Sequence, residues 1–147
     1  NDKAPWPEAA DGDGFSLVRI SPPSQLDPDQ PTSWRASTAL GGNPGSSDAT
    51  TFPGGDEDAL LAYAFGENEL QAQAGGGFLT FSQNVAADDL IYTVEHSYDL
   101  ASWSTTGALL GATAPIGGFS TNTFALVPLD PPRTRHFFRV RVDLRLE

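Results

Sequence analysis

The sequence predicts an all-β protein, and three observations carry that prediction. Glycine and proline together supply 27 of 147 residues, and turn signals recur about every ten positions, a spacing that suits short antiparallel strands. Between the turns lie short runs rich in β-branched and aromatic side chains. Two of these runs alternate, from Ile91 to Tyr98 and from His136 to Leu146, with the two-residue period of a strand that buries one face.

The elements follow in order. The turn Asp11-Gly12-Asp13-Gly14 leads into a first strand over Phe15 to Ile20. Ser21 to Ser33 carries four prolines and reads as an exposed loop. A short strand around Trp34 to Thr38 comes next, and Gly41 to Gly55 reads as a flexible linker. Asp56, Glu57 and Asp58 then provide a cap and first-turn acids for a helix. Leu60, Leu61, Tyr63, Ala64 and Phe65 give that helix an apolar face, and Gly66 is placed to end it. A helix spanning about 56–65 is too short to stand alone and has to dock. Gly75-Gly76-Gly77 reads as a flexible connector with no phosphate-loop character.

From Phe78 onward the pattern is strand after strand. Phe78 to Ser82 alternates. In the next strand Tyr92, Val94, His96 and Tyr98 share one face, and Ile91, Thr93, Glu95 and Ser97 share the other. Thr123 to Val127 reads as a central strand ended by Pro128, while Asp88-Asp89 and Asp130-Pro131-Pro132 read as hairpin turns. The last strand turns His136, Phe138, Val140, Val142, Leu144 and Leu146 inward. Phe137, Arg139, Arg141, Asp143 and Arg145 face outward, as in a half-buried antiparallel strand.

Composition narrows the function. Cysteine is absent, which excludes disulfides and thiolate metal sites. No apolar run approaches the roughly 18 residues that read as a membrane-spanning helix. Nineteen acids against eight bases give a formal charge of −11, which argues against nucleic acid or an anionic membrane as partner. Charge is also segregated: residues 1–132 hold 17 acids and 3 bases, whereas residues 133–147 hold 2 acids and 5 arginines. A head-to-tail contact between chains would use that asymmetry; a charged strand face is the simpler account.

Candidate chemistry is sparse. Asp11 and Asp13 could offer carboxylates to Ca²⁺, but the full calcium-loop spacing is missing and the same residues suit a tight turn. His96 and His136 both fall within strands. Side by side they could hold zinc, although spacing suggests no third ligand and a hydrogen-bonded strand histidine is the simpler reading. No nucleophile elbow and no pairing of a nucleophile with a general base stands out, so no catalytic residue is assigned and no enzyme is expected. Trp6, Trp34, Trp103, Tyr92 and Tyr98 could stack on sugars or plug a core.

Two family resemblances cover most of the chain. Pro5-Trp6-Pro7, the Ala10-Asp11-Gly12-x-Gly14-x-Ser16-Leu17 stretch, Trp34-Arg35-Ala36-Ser37 and Gly41-Gly42-x-Pro44-Gly45 resemble the closing strands of a bacterial lamin-tail domain. Leu61-Ala62-Tyr63-Ala64-Phe65-Gly66, Leu79-Thr80-Phe81-Ser82-x-Asn84, the run Asp89 to Trp103 and Phe137-Phe138-Arg139-Val140-Arg141-Val142 resemble a C-terminal module of large exported bacterial proteins. The resemblances imply an incomplete lamin-tail-like segment over 1–50 and a linker with a short helix over 51–77. They imply a small immunoglobulin- or fibronectin-like β-sandwich over 78–147. With no methionine in the chain, the expectation is a C-terminal piece of a larger secreted protein, located outside the cell or at its surface.

The expected function is therefore non-catalytic: an extracellular structural or adhesive protein, self-assembling into a fibre by strand complementation, with its own kind or parent-chain domains as partners. Trp6, Phe15, Leu17, Arg139 and Arg141 are the expected interaction residues. The alternative is a carbohydrate-binding or substrate-anchoring module that meets an extracellular glycan.

Overall fold

The computed structural model describes residues 5–21, 26–66, 72–75, 77–126 and 135–145. The expected turn at Asp130-Pro131-Pro132, the stop at Pro128, Gly76 and Leu146 lie outside these residues.

The fold is mostly β. Its elements are β1 (Phe15–Arg19), β2 (Trp34–Leu40), α1 (Glu57–Phe65), β3 (Gln73–Gly75), β4 (Phe78–Asn84), β5 (Leu90–Ser97), β6 (Ser104–Thr105), β7 (Ala108–Ala112), β8 (Phe119–Ala125) and β9 (Phe137–Leu144). They form three antiparallel sheets, ordered β1-β2, β3-β4-β8-β7 and β6-β5-β9.

The alternation in β5 and β9 becomes a register. Tyr92 lies opposite Val142, Val94 opposite Val140 and His96 opposite Phe138, while Glu95 meets Arg139 and Thr93 meets Arg141. Apolar positions therefore share one face and charged positions the other. That apolar face meets side chains of β4 and β8 in one core: Phe65, Leu79, Phe81, Leu90 and Val94 are buried, with Tyr92, Phe124, Val140 and Val142 packed around them. Phe81, only 1% exposed, stacks on Phe124 at 5.4 Å and meets Phe65 in a T-shaped contact at 6.1 Å. Burying such a ring contributes about 2–3 kcal/mol.

The helix forms where the sequence places it. The Asp56 carboxylate accepts the Ala59 N–H at 3.0 Å, satisfying one of the orphan donors at the N-terminus. Gly66 ends the helix at φ +80°, and a Cβ there would lie 3.0 Å from the Phe119 ring. The helix docks by its C-terminal end, where Ala64 and Phe65 are buried in the core.

Several local expectations change. Asp88-Asp89 does not turn a hairpin. β4 pairs with β8 and β5 with β9, so residues 85–89 carry the chain from one sheet to the next. Gly75 is no flexible connector either, since it ends β3 opposite Phe78 and Gly77 turns back into β4. Gly41–Gly55 is tied down at intervals: the Thr50 N–H donates to the Ala86 carbonyl at 2.8 Å and the Phe52 N–H to Asp89 at 2.7 Å. Strands β6 and β7 were not expected, and β8 starts at Phe119 rather than Thr123.

Candidate functional site

The densest polar cluster is built around Arg35. Its strand, β2, reads Trp-Arg-Ala-Ser-Thr-Ala-Leu, and Arg35 is its one charged residue. The Arg35 Nε–H donates to Asp88 Oδ1 at 2.5 Å and its Nη2–H to Oδ2 at 3.3 Å, a two-point contact across 53 residues of sequence. Nη1 donates to Asp48 and, at 3.1 Å, to the Ala36 carbonyl. The three charged side chains are only 10%, 6% and 5% exposed for Arg35, Asp48 and Asp88.

The carboxylates are saturated by other partners as well. Asp48 accepts the Thr38 N–H at 3.1 Å, the Thr38 hydroxyl at 2.6 Å and the Asn43 amide. Asp88 also accepts the Ser21 N–H at 3.1 Å. Burial works to raise the Asp48 carboxyl, but the Thr38 hydroxyl, Arg35 and the Thr38 N–H outweigh it and hold it below its ordinary value. Burial likewise disfavours the Arg35 charge, and the hydrogen bonds to Asp88 and Asp48 overcome it, leaving the guanidinium more firmly protonated than usual.

Asp89 extends this junction. Its Oδ1 accepts the Tyr63 hydroxyl at 2.8 Å, and Tyr63 contacts the Thr50 hydroxyl at 3.1 Å. Burial first, and Asp89 alongside it, push the Tyr63 phenol up to about 12 despite the Thr50 contact. The Asp89 carbonyl accepts the Arg145 N–H at 2.6 Å, and the Asp88 carbonyl accepts Arg145 Nε–H at 3.1 Å. Two adjacent aspartates thus join β2, the 48–52 segment, α1 and the end of β9. Their chemistry is that of a strut, with each carboxylate committed to protein donors.

A second charged group lies on the outward face of β5 and β9. Glu95 receives Arg139 Nε at 2.7 Å and approaches Arg141 Nε at 3.5 Å, while Arg141 also meets Asp143 at 3.4 Å. The Arg139 guanidinium lies 4.1 Å from the centre of the Trp103 ring, within cation–π range. Arg139 and Arg141 keep 45% and 50% of their side chains exposed.

The expected interaction residues divide between sheets. Arg139 and Arg141 occupy this outer face of β9. Phe15 and Leu17 belong to β1, where Phe15 is half-buried opposite Leu40 and Leu17 is exposed opposite Ala36. Trp6 is half-buried just before the short turn at Glu8–Ala10. Asp11 and Asp13 lie in an exposed turn, and among the described residues no group of three or more His, Cys, Asp or Glu could hold a metal. Of the aromatic rings, Tyr92 donates to the Ala64 carbonyl at 2.9 Å, Trp34 donates to the Pro28 carbonyl at 2.8 Å, and Trp103 carries Arg139.

Sequence reasoning missed the Arg35 junction. The available signal was a single arginine inside a strand of small residues, in a region of 132 residues with only three bases.

No family model, curated protein or solved structure matches the chain significantly.

Proposed function

We propose that the chain is a non-catalytic, extracellular structural or adhesive protein that associates with copies of itself through the outer face and free edge of β9. In this reading the β4–β8 and β5–β9 sheets form an immunoglobulin-like sandwich, and β1-β2 is the remnant of a lamin-tail-like one. The carrying observation is β9 itself. Among the described residues it pairs only with β5, so its other edge offers backbone donors and acceptors to an added strand. Its outward arginines oppose a surface whose formal charge is strongly negative over residues 1–132, and that complementarity favours a second copy in a head-to-tail arrangement. The saturated carboxylates of the Arg35 junction support the non-catalytic part, since a general acid or base needs a proton it can exchange with substrate.

The test is the assembly state across a dilution and salt series, by light scattering and negative-stain microscopy. Oligomers or filaments that loosen as salt rises are expected. A monomer at all concentrations and low salt overturns the self-association reading.

A further inference from the structure

The β5–β9 register brings together the two histidines of the chain. His96 lies near the end of β5, and His136 immediately precedes β9. His96 Nδ1 and His136 Nε2 are 2.8 Å apart, so a single ring proton lies between them. Both rings are half-buried and held by aromatic neighbours. Tyr98 stacks on His136 at 4.9 Å and meets His96 edge-on at 5.4 Å, and Phe138 packs 4.1 Å from His136. A pair of imidazole nitrogens fixed in this way is a chelate in waiting.

The geometry points to a two-histidine site for a borderline divalent transition metal, with Cu²⁺ favoured over Ni²⁺ and Zn²⁺ and water in the remaining positions. The 2.8 Å separation brings both nitrogens within reach of one ion, at metal–nitrogen distances of about 2.0–2.1 Å. Each ring has to swing off the line of the hydrogen bond so that both lone pairs converge on the metal. The preference for Cu²⁺ follows from the Irving–Williams order.

Proton accounting is simple. Moving the shared proton to the other nitrogen of its own ring frees both facing lone pairs, so two neutral rings bind without net proton release. The bound ion would tie the end of β5 to the entry of β9.

The experiment uses the untagged 147-residue chain with Cu²⁺, Ni²⁺ and Zn²⁺ chlorides, followed by calorimetry and by electron paramagnetic resonance of the copper form. One Cu²⁺ per chain with two imidazole nitrogens in its spectrum is expected, bound more tightly than Ni²⁺ or Zn²⁺. His96→Gln and His136→Gln are each expected to weaken binding about tenfold or more, with the double variant little worse than either, because one chelate is lost in every case. Oxygen-only copper ligation in the wild-type spectrum overturns the proposal without any variant. So does undiminished copper affinity in a folded His96→Gln chain.

Discussion

The protein holds two clusters of arginine and carboxylate that use the same chemistry to opposite ends. Around Arg35, one cation meets Asp48 and Asp88 with all three side chains almost wholly buried. On β9, Arg139 and Arg141 share Glu95, itself only 11% exposed, and the two arginines remain about half exposed. A buried charge must be fully paired, because the desolvation it suffers is repaid only by close and complete hydrogen bonding. The Arg35 junction meets that demand. On β9 only Glu95 is buried, and it too is paired, while water screens its half-exposed arginines. Burial makes the first cluster a strut, and the second keeps its two cations in contact with water.

That contrast can be broken most directly at Arg35. Arg35→Met leaves two buried carboxylates without their cation and is expected to cost about 3–5 kcal/mol, read as a lowered urea midpoint. Adding Asp48→Asn and Asp88→Asn to that variant is expected to recover part of the loss. A cost for Arg35→Met below about 1 kcal/mol, the range of exposed pairs, would erase the distinction between the clusters.

Acid sharpens the same point. The Asp48 carboxyl binds its proton less readily in the folded chain than in the unfolded one. Its contribution is therefore complete above the unfolded carboxylate value, about pH 3.9, and is lost as pH falls below that through the folded value. Asp48→Asn is expected to flatten this acid limb of a stability–pH profile. A profile unchanged by the substitution would show that Asp48 is not held as described.

Tyr63→Phe removes the hydroxyl that reaches Asp89 and is expected to cost about 1 kcal/mol in the same denaturant assay. In the wild-type chain, alkaline absorbance titration should show the Tyr63 phenol ionising near 12. The smallest effect belongs to the ladder: Arg141→Gln is expected to change stability by less than about 1 kcal/mol. A larger loss there would make the ladder a second strut.

The two clusters also differ in how far the sequence revealed them. Strands β5 and β9 were legible because each places apolar residues on one face and polar residues on the other, so the inward Val140 and Val142 and the exposure of Arg139 and Arg141 followed from period two, whereas Leu144, expected inward, is exposed at the strand end. The pairing of His96 with His136 needed the register between those strands, which alternation alone leaves open. Strand β7 was not legible: Ala108–Ala112 reads Ala-Leu-Leu-Gly-Ala, with neither alternation nor β-branched residues. Asp88-Asp89 carried the chemistry of a turn, and a hairpin and a crossover between sheets use the same residues. The Arg35 junction stayed hidden because its pairs span 13 and 53 residues, beyond any local pattern.

The central claim is that β9 presents the functional surface while the Arg35 junction only supports it. The direct test is light scattering on the wild-type chain and the Arg139→Gln/Arg141→Gln variant, both verified as folded by circular dichroism and compared at equal concentration and low salt. The account predicts large assemblies for the wild type and monomers for the variant. Equal assembly by both chains, or a monomeric wild type, would contradict it.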